Sequence, residues 1–211
     1  MHQKKSGIFK LLPFLICLSA GIYFITLNVT GYSFTHYPGD LGDGRLNNYF
    51  LEHAHKYLTG QIGSLWDAPF MYPEEKVLSY SDNLIGTAPF YSIFRLSGFD
   101  RETSYQLWFI TLAALAFICC YYLLILIFND IYAAAIGAFI FAFSIALQSQ
   151  FTHAQTFPRF PVPLAFAMFI IFTRNFRPLF FFLSVLMVVY QLYCGIYLGL
   201  KIGRASCRER V

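Results

Sequence analysis

Five long apolar runs, separated by polar segments, constrain this chain more than any other feature of its sequence. The runs cover residues 11–29, 107–128, 131–147, 160–172 and 179–200. A helix that crosses the hydrocarbon core of a bilayer needs about 20 apolar residues, and most of the runs approach that length. The fourth run is the shortest and contains prolines, so a re-entrant hairpin is an alternative there. We expect about five transmembrane helices.

The composition excludes a soluble domain. Hydrophobic residues make up 57% of the chain and charged residues only 12%, with a mean hydropathy of +0.55. A soluble domain carries about 25% charged residues. The expected fold class is therefore an all-α integral membrane protein, and the lipid bilayer is its first expected partner.

The first apolar run follows Lys4, Lys5 and Lys10, an arrangement also found in signal peptides. The run is longer than the apolar region of about 7 to 15 residues in a signal peptide, and no small-residue cleavage site follows it. We therefore interpret it as an uncleaved first span.

The charges of the short loops predict the orientation. With five spans, Arg174 and Arg177 lie on the same side as the N-terminus, and Arg159 is the basic residue of the short loops on the other side. Basic residues collect on the cytoplasmic side of membrane proteins. We expect a multi-pass protein of the plasma (inner) membrane with a cytoplasmic N-terminus and an extracytoplasmic loop at 30–104.

The C-terminal decapeptide, 202–211, is unlike the rest of the chain and resembles translated sequencing adapter. We interpret 201–211 as a non-native tail and expect the protein to continue beyond Leu200, so that later helices complete any active site. Without the three Arg and one Glu of the decapeptide, the net charge falls from +4 to +2. This small net positive charge gives no indication of a nucleic-acid partner, and we expect none.

Two carboxylates, Asp40 and Asp43, lie just past the first span, in a segment that reads PGDLGDGR from 38 to 45. Carboxylates beside hydrocarbon are costly to desolvate and mark a cation site, a proton-transfer site or a helix cap. The three glycines of the segment allow positive φ and let a ligand approach closely. An ordinary turn is the alternative for Asp40.

The following segment, 45–59, predicts an amphipathic helix on the membrane surface. Asp43 fits its N-cap and Gly60 the C′ position, so capping alone would explain Asp43 and the catalytic expectation moves toward Asp40. His53 projects to the apolar side and His55 to the polar side, which predicts a structural His53 and no shared metal. The projection separates two faces, one with Leu46, Phe50, Ala54, Tyr57 and Leu58, the other with Asn48, Glu52, His55, Lys56 and Thr59.

The layout of one span, a large outer loop with an early acidic motif and a surface helix, then aromatic-rich spans, resembles the GT-C superfamily of membrane glycosyltransferases. Two later segments look like motifs of uncharacterised bacterial proteins of this kind, at 81–89 (SDNLIGTAP) and 153–160 (HAQTFPRF). The resemblance covers residues 1–200 in layout, and its motifs are short and degenerate.

This resemblance implies transfer of a sugar from a polyprenyl-phosphate donor at the extracytoplasmic face. An acidic residue of the first outer loop acts as the base in that family, and Asp40 or Asp43 holds the matching position. The expected substrate-binding residues are Arg45, Asp82, His153 and Arg159. Arg95 is a further phosphate-binding candidate, although a surface charge explains it equally well.

Other interpretations stay open. A divalent cation held by Asp40, Asp43 and Asp82 is conceivable, but two acids spaced D-x-x-D form no complete ligand set. A lipid or solute transporter would place ionisable residues inside its spans, which here carry almost no charge. A non-enzymatic multi-pass membrane protein would tolerate the loss of both loop carboxylates.

Overall fold

The computed structural model of the protein describes residues 7–148 and 151–200, and within these residues it is all-helical, without β-strands. The predicted tail at 201–211, Lys4 and Lys5 lie outside the described residues. The α-helices of the described part are α1 (Gly7–Ile25), α2 (Asp43–Leu58), α3 (Ala88–Leu96), α4 (Arg101–Phe128), α5 (Ile131–Phe143), α6 (Ile145–Gln148), α7 (Pro161–Asn175) and α8 (Pro178–Cys194), and residues 196–200, after the break at Gly195, are helical as well.

Three helical stretches of the described residues are long and apolar enough to cross a membrane: Leu11–Thr30, Arg101–Phe128 and Ala154–Asn175. Helices α5 and α8 are apolar but shorter. The expected all-α fold is therefore confirmed, and three of its helical stretches could cross a membrane, whereas the number of five crossings stays a prediction.

The outside of these helices is apolar. Large side chains that the protein leaves uncovered include Leu12, Ile16, Ile136, Ile140, Phe182 and Leu186. Apolar surface of this extent is unfavourable in water but matches lipid hydrocarbon. The exposed faces are thus suited to contact with acyl chains.

Small residues allow the helices to pack closely. Ala134, Ala138 and Ala142 are buried at intervals of one helical turn along α5, which contacts α1 and α4. On α1, a Cβ added at Gly21 would overlap the ring of Phe143. Helices in lipid associate through such close backbone approach, because lipid tails are as apolar as the side chains themselves.

Short polar residues set the helix boundaries. The carboxylate of Asp130 accepts hydrogen bonds from the amides of Tyr132 (2.8 Å) and Ala133 (2.9 Å), while Asn129 ends α4 in the left-handed conformation. The predicted break between the second and third runs is confirmed. Helix α4 begins before its apolar run, because Asp100 accepts a hydrogen bond from the Thr103 amide at 2.8 Å.

In two of the predicted apolar runs, the first helix ends before the run does. Extended backbone at Ser144 ends α5, and extended backbone at Gly195 ends α8. Gly195 lies close to the Gln155 carbonyl, where a Cβ would be 2.7 Å from the oxygen, so a larger residue would not fit at the second break. In the doubtful fourth run, Pro161 occupies the first turn of α7, where a missing N–H costs little.

Helix α2 does not present its polar face to solvent as the projection predicts. Glu52 and His55 are buried, whereas Tyr57 and Leu58 are 42% and 55% exposed. The helix packs against α3 and α4, which supply partners for the buried polar groups. Part of the predicted polar face is therefore covered by the protein, although Phe50 and Ala54 of the predicted apolar face are buried as expected.

The C-terminal end of α2 agrees with its prediction. Gly60 has φ +72°, its amide donates to the Tyr57 carbonyl at 3.0 Å, and the Gln61 amide donates to the Lys56 carbonyl at 2.8 Å. These two bonds form the Schellman motif that a glycine at C′ predicts. The N-terminal cap differs, and this difference bears on the candidate site.

Candidate functional site

At the start of α2, Asp40 and not Asp43 makes the side-chain bonds that hold the first turn of the helix. Gly42 is the N-cap residue and has no capping side chain, and Asp43 is the first residue of the helix. The Oδ1 atom of Asp40 accepts hydrogen bonds from the amides of Gly42 (3.1 Å) and Gly44 (3.0 Å). Asp40 therefore stabilises the helix start, and the prediction of Asp43 as the N-cap was wrong.

Asp43 instead faces a histidine from a distant part of the chain. Its Oδ2 atom lies 3.2 Å from Nδ1 of His153, with the two side chains 52% and 50% exposed. With Nδ1 protonated, this histidine donates to the carboxylate and leaves Nε2 free to accept a proton. A half-exposed carboxylate–histidine pair of this kind is suited to proton transfer with a bound molecule.

Packing of the two loops holds the pair in place. Gly39 has φ +91°, and a Cβ added there would lie 3.0 Å from the Phe151 carbonyl oxygen. The Phe151 ring stacks on Phe157 at 4.9 Å between centroids, and Phe157 contacts Phe109 of α4 at 4.8 Å. The loop that carries His153 is thus anchored on the core.

A polar contact beside the pair joins the same two loops. The Asn47 side-chain amide donates to the Asp43 carbonyl at 2.8 Å and to Oε1 of Gln155 at 3.2 Å. Sequence reasoning missed Asn47, because the helical projection alone could not pair it with a residue 108 positions away.

The two arginines expected to bind phosphate, Arg45 and Arg159, differ in exposure and in hydrogen bonding. The Nε atom of Arg159 donates to the Thr156 carbonyl at 2.7 Å, and the side chain is half-buried. Arg45 is exposed on the first turn of α2, two residues after Asp43. Arg159 therefore supports the turn that follows His153, while Arg45 lies on the surface beside the pair.

Asp82 has a different contact from the one expected. Its Oδ1 atom accepts hydrogen bonds from the amides of Ile196 and Tyr197, where the chain continues after α8. Neither Asp43 nor His153 is among its hydrogen-bond partners in the described part of the chain. The carboxylate thus ties the segment before α3 to the end of α8.

Arg95 is joined to α2 by an ion pair. Its Nε and Nη2 atoms lie 2.9 Å and 3.3 Å from the two oxygens of Glu52, and the hydroxyl of Tyr91 donates to Glu52 at 2.8 Å. Burial disfavours the charged form of Glu52, but the bonds from Arg95 and Tyr91 outweigh it and hold the pKa of this carboxyl below its usual range. Arg95 therefore has a structural contact, which joins α3 to α2.

The two histidines of α2 are both buried, with different neighbours. Nε2 of His53 lies 2.9 Å from the Leu65 carbonyl, and its ring stacks on Tyr49. His55 is buried beside Tyr91, and burial lowers its pKa. These contacts agree with a structural role for His53.

Within residues 7–148 and 151–200, no group of three or more His, Cys, Asp or Glu side chains comes together to hold a metal ion. Asp40 already accepts two backbone amides, and Asp82 accepts two others. The three carboxylates proposed for a divalent cation therefore have separate partners in the described structure.

Comparison with protein-family models gave no match, and comparison with curated proteins and with solved structures gave no significant match.

Proposed function

We propose that this chain works in a membrane glycosyltransferase that moves a sugar from a polyprenyl-phosphate donor to an acceptor hydroxyl at the extracytoplasmic face. The observation that carries the proposal is the contact of Asp43 with His153, across 110 residues, on polar loops next to membrane-length helices. A base at a membrane boundary suits a reaction between a lipid-borne donor and a polar acceptor.

In the proposed reaction the acceptor hydroxyl gives its proton to Nε2 of His153. Asp43 accepts the Nδ1 hydrogen bond, orients the ring and stabilises the imidazolium that forms. The acceptor oxygen bonds to the anomeric carbon as the bond between that carbon and the phosphate oxygen breaks. The lipid phosphate leaves as an anion, for which Arg45 and Arg159 are the candidate partners.

Asp40 acts in this proposal as a positioning residue. By accepting the amides of Gly42 and Gly44, it sets the first turn of α2 and hence the direction of the Asp43 side chain. Its loss would displace the carboxylate without removing a group that touches the substrate.

The proposed topology has five crossings and a cytoplasmic N-terminus. Support comes from the Nη2 atom of Arg174, which donates to the Leu126 carbonyl at 2.8 Å, so that the C-terminal ends of α7 and α4 are adjacent. Asp43 and His153 meet near the opposite ends of α4 and α7. Lys10, Arg174 and Arg177 would then share the cytoplasmic side.

The test measures sugar transfer from a polyprenyl-phosphate donor in membranes that contain the full-length protein. We expect Asp43→Asn and His153→Gln each to lower the rate by about 10²- to 10⁴-fold. The double variant should be little slower than the slower single variant, because the two residues act as a unit.

The matched control is Glu75→Gln, which neutralises an exposed carboxylate of the same polar segment and should leave transfer unchanged. Unaltered transfer in both Asp43→Asn and His153→Gln would refute the catalytic role of the pair.

A further inference from the structure

A second concave site lies further along α2, away from Asp43. The cleft has a volume of about 400 Å³ and is bounded by α2, the segment around residues 62–69 and the start of α4. Cavities of roughly 300 to 1,000 Å³ are typical of sites for small ligands. Lys56 lies about 20 Å from Asp43 along the helix, given a rise of 1.5 Å per residue. The cleft is therefore separate from the candidate catalytic pair.

The two carboxylates that line the cleft are already engaged. Glu52 is paired with Arg95 and accepts the Tyr91 hydroxyl. Asp67 accepts the Ser64 hydroxyl at 2.6 Å on one oxygen and the Lys76 amide at 2.8 Å on the other. These bonds reduce the tendency of either acid to pair with a further cation in the cleft.

The two cations that line the cleft are not engaged. In the described part of the chain, the close contacts between acidic and basic side chains are Glu52 with Arg95 and Asp43 with His153, and neither Lys56 nor Arg101 belongs to one. The Nε atom of Arg101 is buried without a hydrogen-bond partner among the described residues. The cleft is therefore lined by two positive groups, from two different helices, that belong to no ion pair of the described residues.

A tyrosine side chain also lines the cleft. The Tyr49 ring lines the same cleft and stacks on His53, with 6.1 Å between centroids. Its hydroxyl is buried without a hydrogen-bond partner in the described part of the chain. Burial raises the pKa of Tyr49, so the hydroxyl keeps its proton and adds no negative charge that would oppose an anion.

We propose that this cleft binds a phosphoryl anion, either the phosphate of a lipid headgroup or that of a soluble phosphate ester. A guanidinium and an ammonium from different directions match the oxygens of a phosphate group. Arg101 is the first residue of a membrane-length helix, so the cleft lies at the level where headgroups lie. The site does not depend on the proposed glycosyltransferase activity.

The test follows the acylation rate of Lys56 by mass spectrometry, with the full chain in maltoside micelles, which contain no phosphate. One arm adds glycerol 3-phosphate, and the other adds phosphatidylglycerol, with diacylglycerol as the phosphate-free lipid control. We expect labelling of Lys56 to slow at least about threefold with a phosphate-bearing probe. Lys76, which is exposed outside the cleft lining, is the internal control and should not change.

The variant Arg101→Gln should raise the probe concentration needed for half-maximal protection about tenfold, the usual cost of losing a charged hydrogen bond. Arg101→Lys, which keeps the charge, should retain most of it and checks that the α4 start is intact. Protection by glycerol 3-phosphate supports a soluble ester, and protection by phosphatidylglycerol alone supports a headgroup.

Three results would overturn the proposal. They are no protection by either phosphate probe, equal protection by diacylglycerol, or undiminished protection in Arg101→Gln. The wild-type measurement decides the first two even if the Arg101→Gln variant does not fold.

Discussion

Glu52 of α2 and Arg95 of α3 form an enclosed ion pair in the described structure, with 2.9 Å between Oε2 and Nε. The side chains are only 11% and 25% exposed, and Tyr91 adds a third hydrogen bond. A buried carboxylate is unfavourable unless it is paired, so this cluster explains how α2 can bury a residue that its sequence pattern assigns to solvent.

Loss of this carboxylate should destabilise the protein. Glu52→Gln would leave Arg95 without its counter-ion in a largely enclosed position. We expect the free energy of unfolding to fall by about 2 kcal/mol, less than for a fully buried pair because Arg95 retains some contact with water. Unfolding in detergent by increasing dodecyl sulfate measures the change. Glu74→Gln, at an exposed position of the same segment, is the control and should change stability by less than about 0.5 kcal/mol.

The same pair predicts a pH dependence. The pKa of Glu52 is lower in the folded protein than its usual value, so ionised Glu52 contributes stability above the unfolded pKa of about 4.3. That contribution is lost as the pH falls through the folded pKa. The stability difference between wild type and Glu52→Gln should therefore be constant from about pH 5 to 7 and shrink below about pH 4. A difference that grows on acidification would contradict this assignment.

Substitutions at Gly39 and Gly98 should distinguish the cost of backbone strain from the cost of a steric contact. Both have φ near +90°, but a Cβ at Gly98 meets nothing within 4 Å, whereas one at Gly39 meets the Phe151 carbonyl at 3.0 Å. We expect Gly98→Ala to cost about 1 kcal/mol and Gly39→Ala to cost more, because the second change also pushes the two loops apart. Thermal melting of the two variants checks the order, and equal losses would show that the loop contact is unimportant.

Asp40 and Asp43 should differ in their effect on stability. Asp40→Ala removes the acceptor for two amides at the start of α2 and should cost about 1 kcal/mol. Asp43→Ala removes a half-exposed group and should cost less than about 0.5 kcal/mol. Asp40→Asn keeps an acceptor oxygen and should recover part of the loss. The reverse order would restore Asp43 as the cap.

Local sequence chemistry predicted several features of the fold. The apolar runs identified a membrane protein, Asn129 and Asp130 marked a helix boundary, and Gly60 marked the end of α2. Each feature depends on residues that are close in sequence, because hydropathy, helix caps and left-handed backbone conformations act over a few positions.

The pattern of α2 shows the limit of this reasoning. A projection identifies which residues share a helix face, but not what covers that face. The polar residues of α2 were assigned to solvent, and α3 and α4 cover part of them instead, with Arg95 and Tyr91 as partners of Glu52.

The two carboxylates after the first span were visible in the sequence, and their separate roles were not. Asp40 accepts hydrogen bonds from two glycine amides and so stabilises the start of α2. The loop anchored by Phe151 and Phe157 brings His153 to Asp43. Apolar runs and loop composition are enough to predict a helical protein with membrane-length segments and two acids just after the first of them. Tertiary structure alone decided which acid meets the histidine, because that contact joins residues 110 positions apart, beyond the reach of any local pattern.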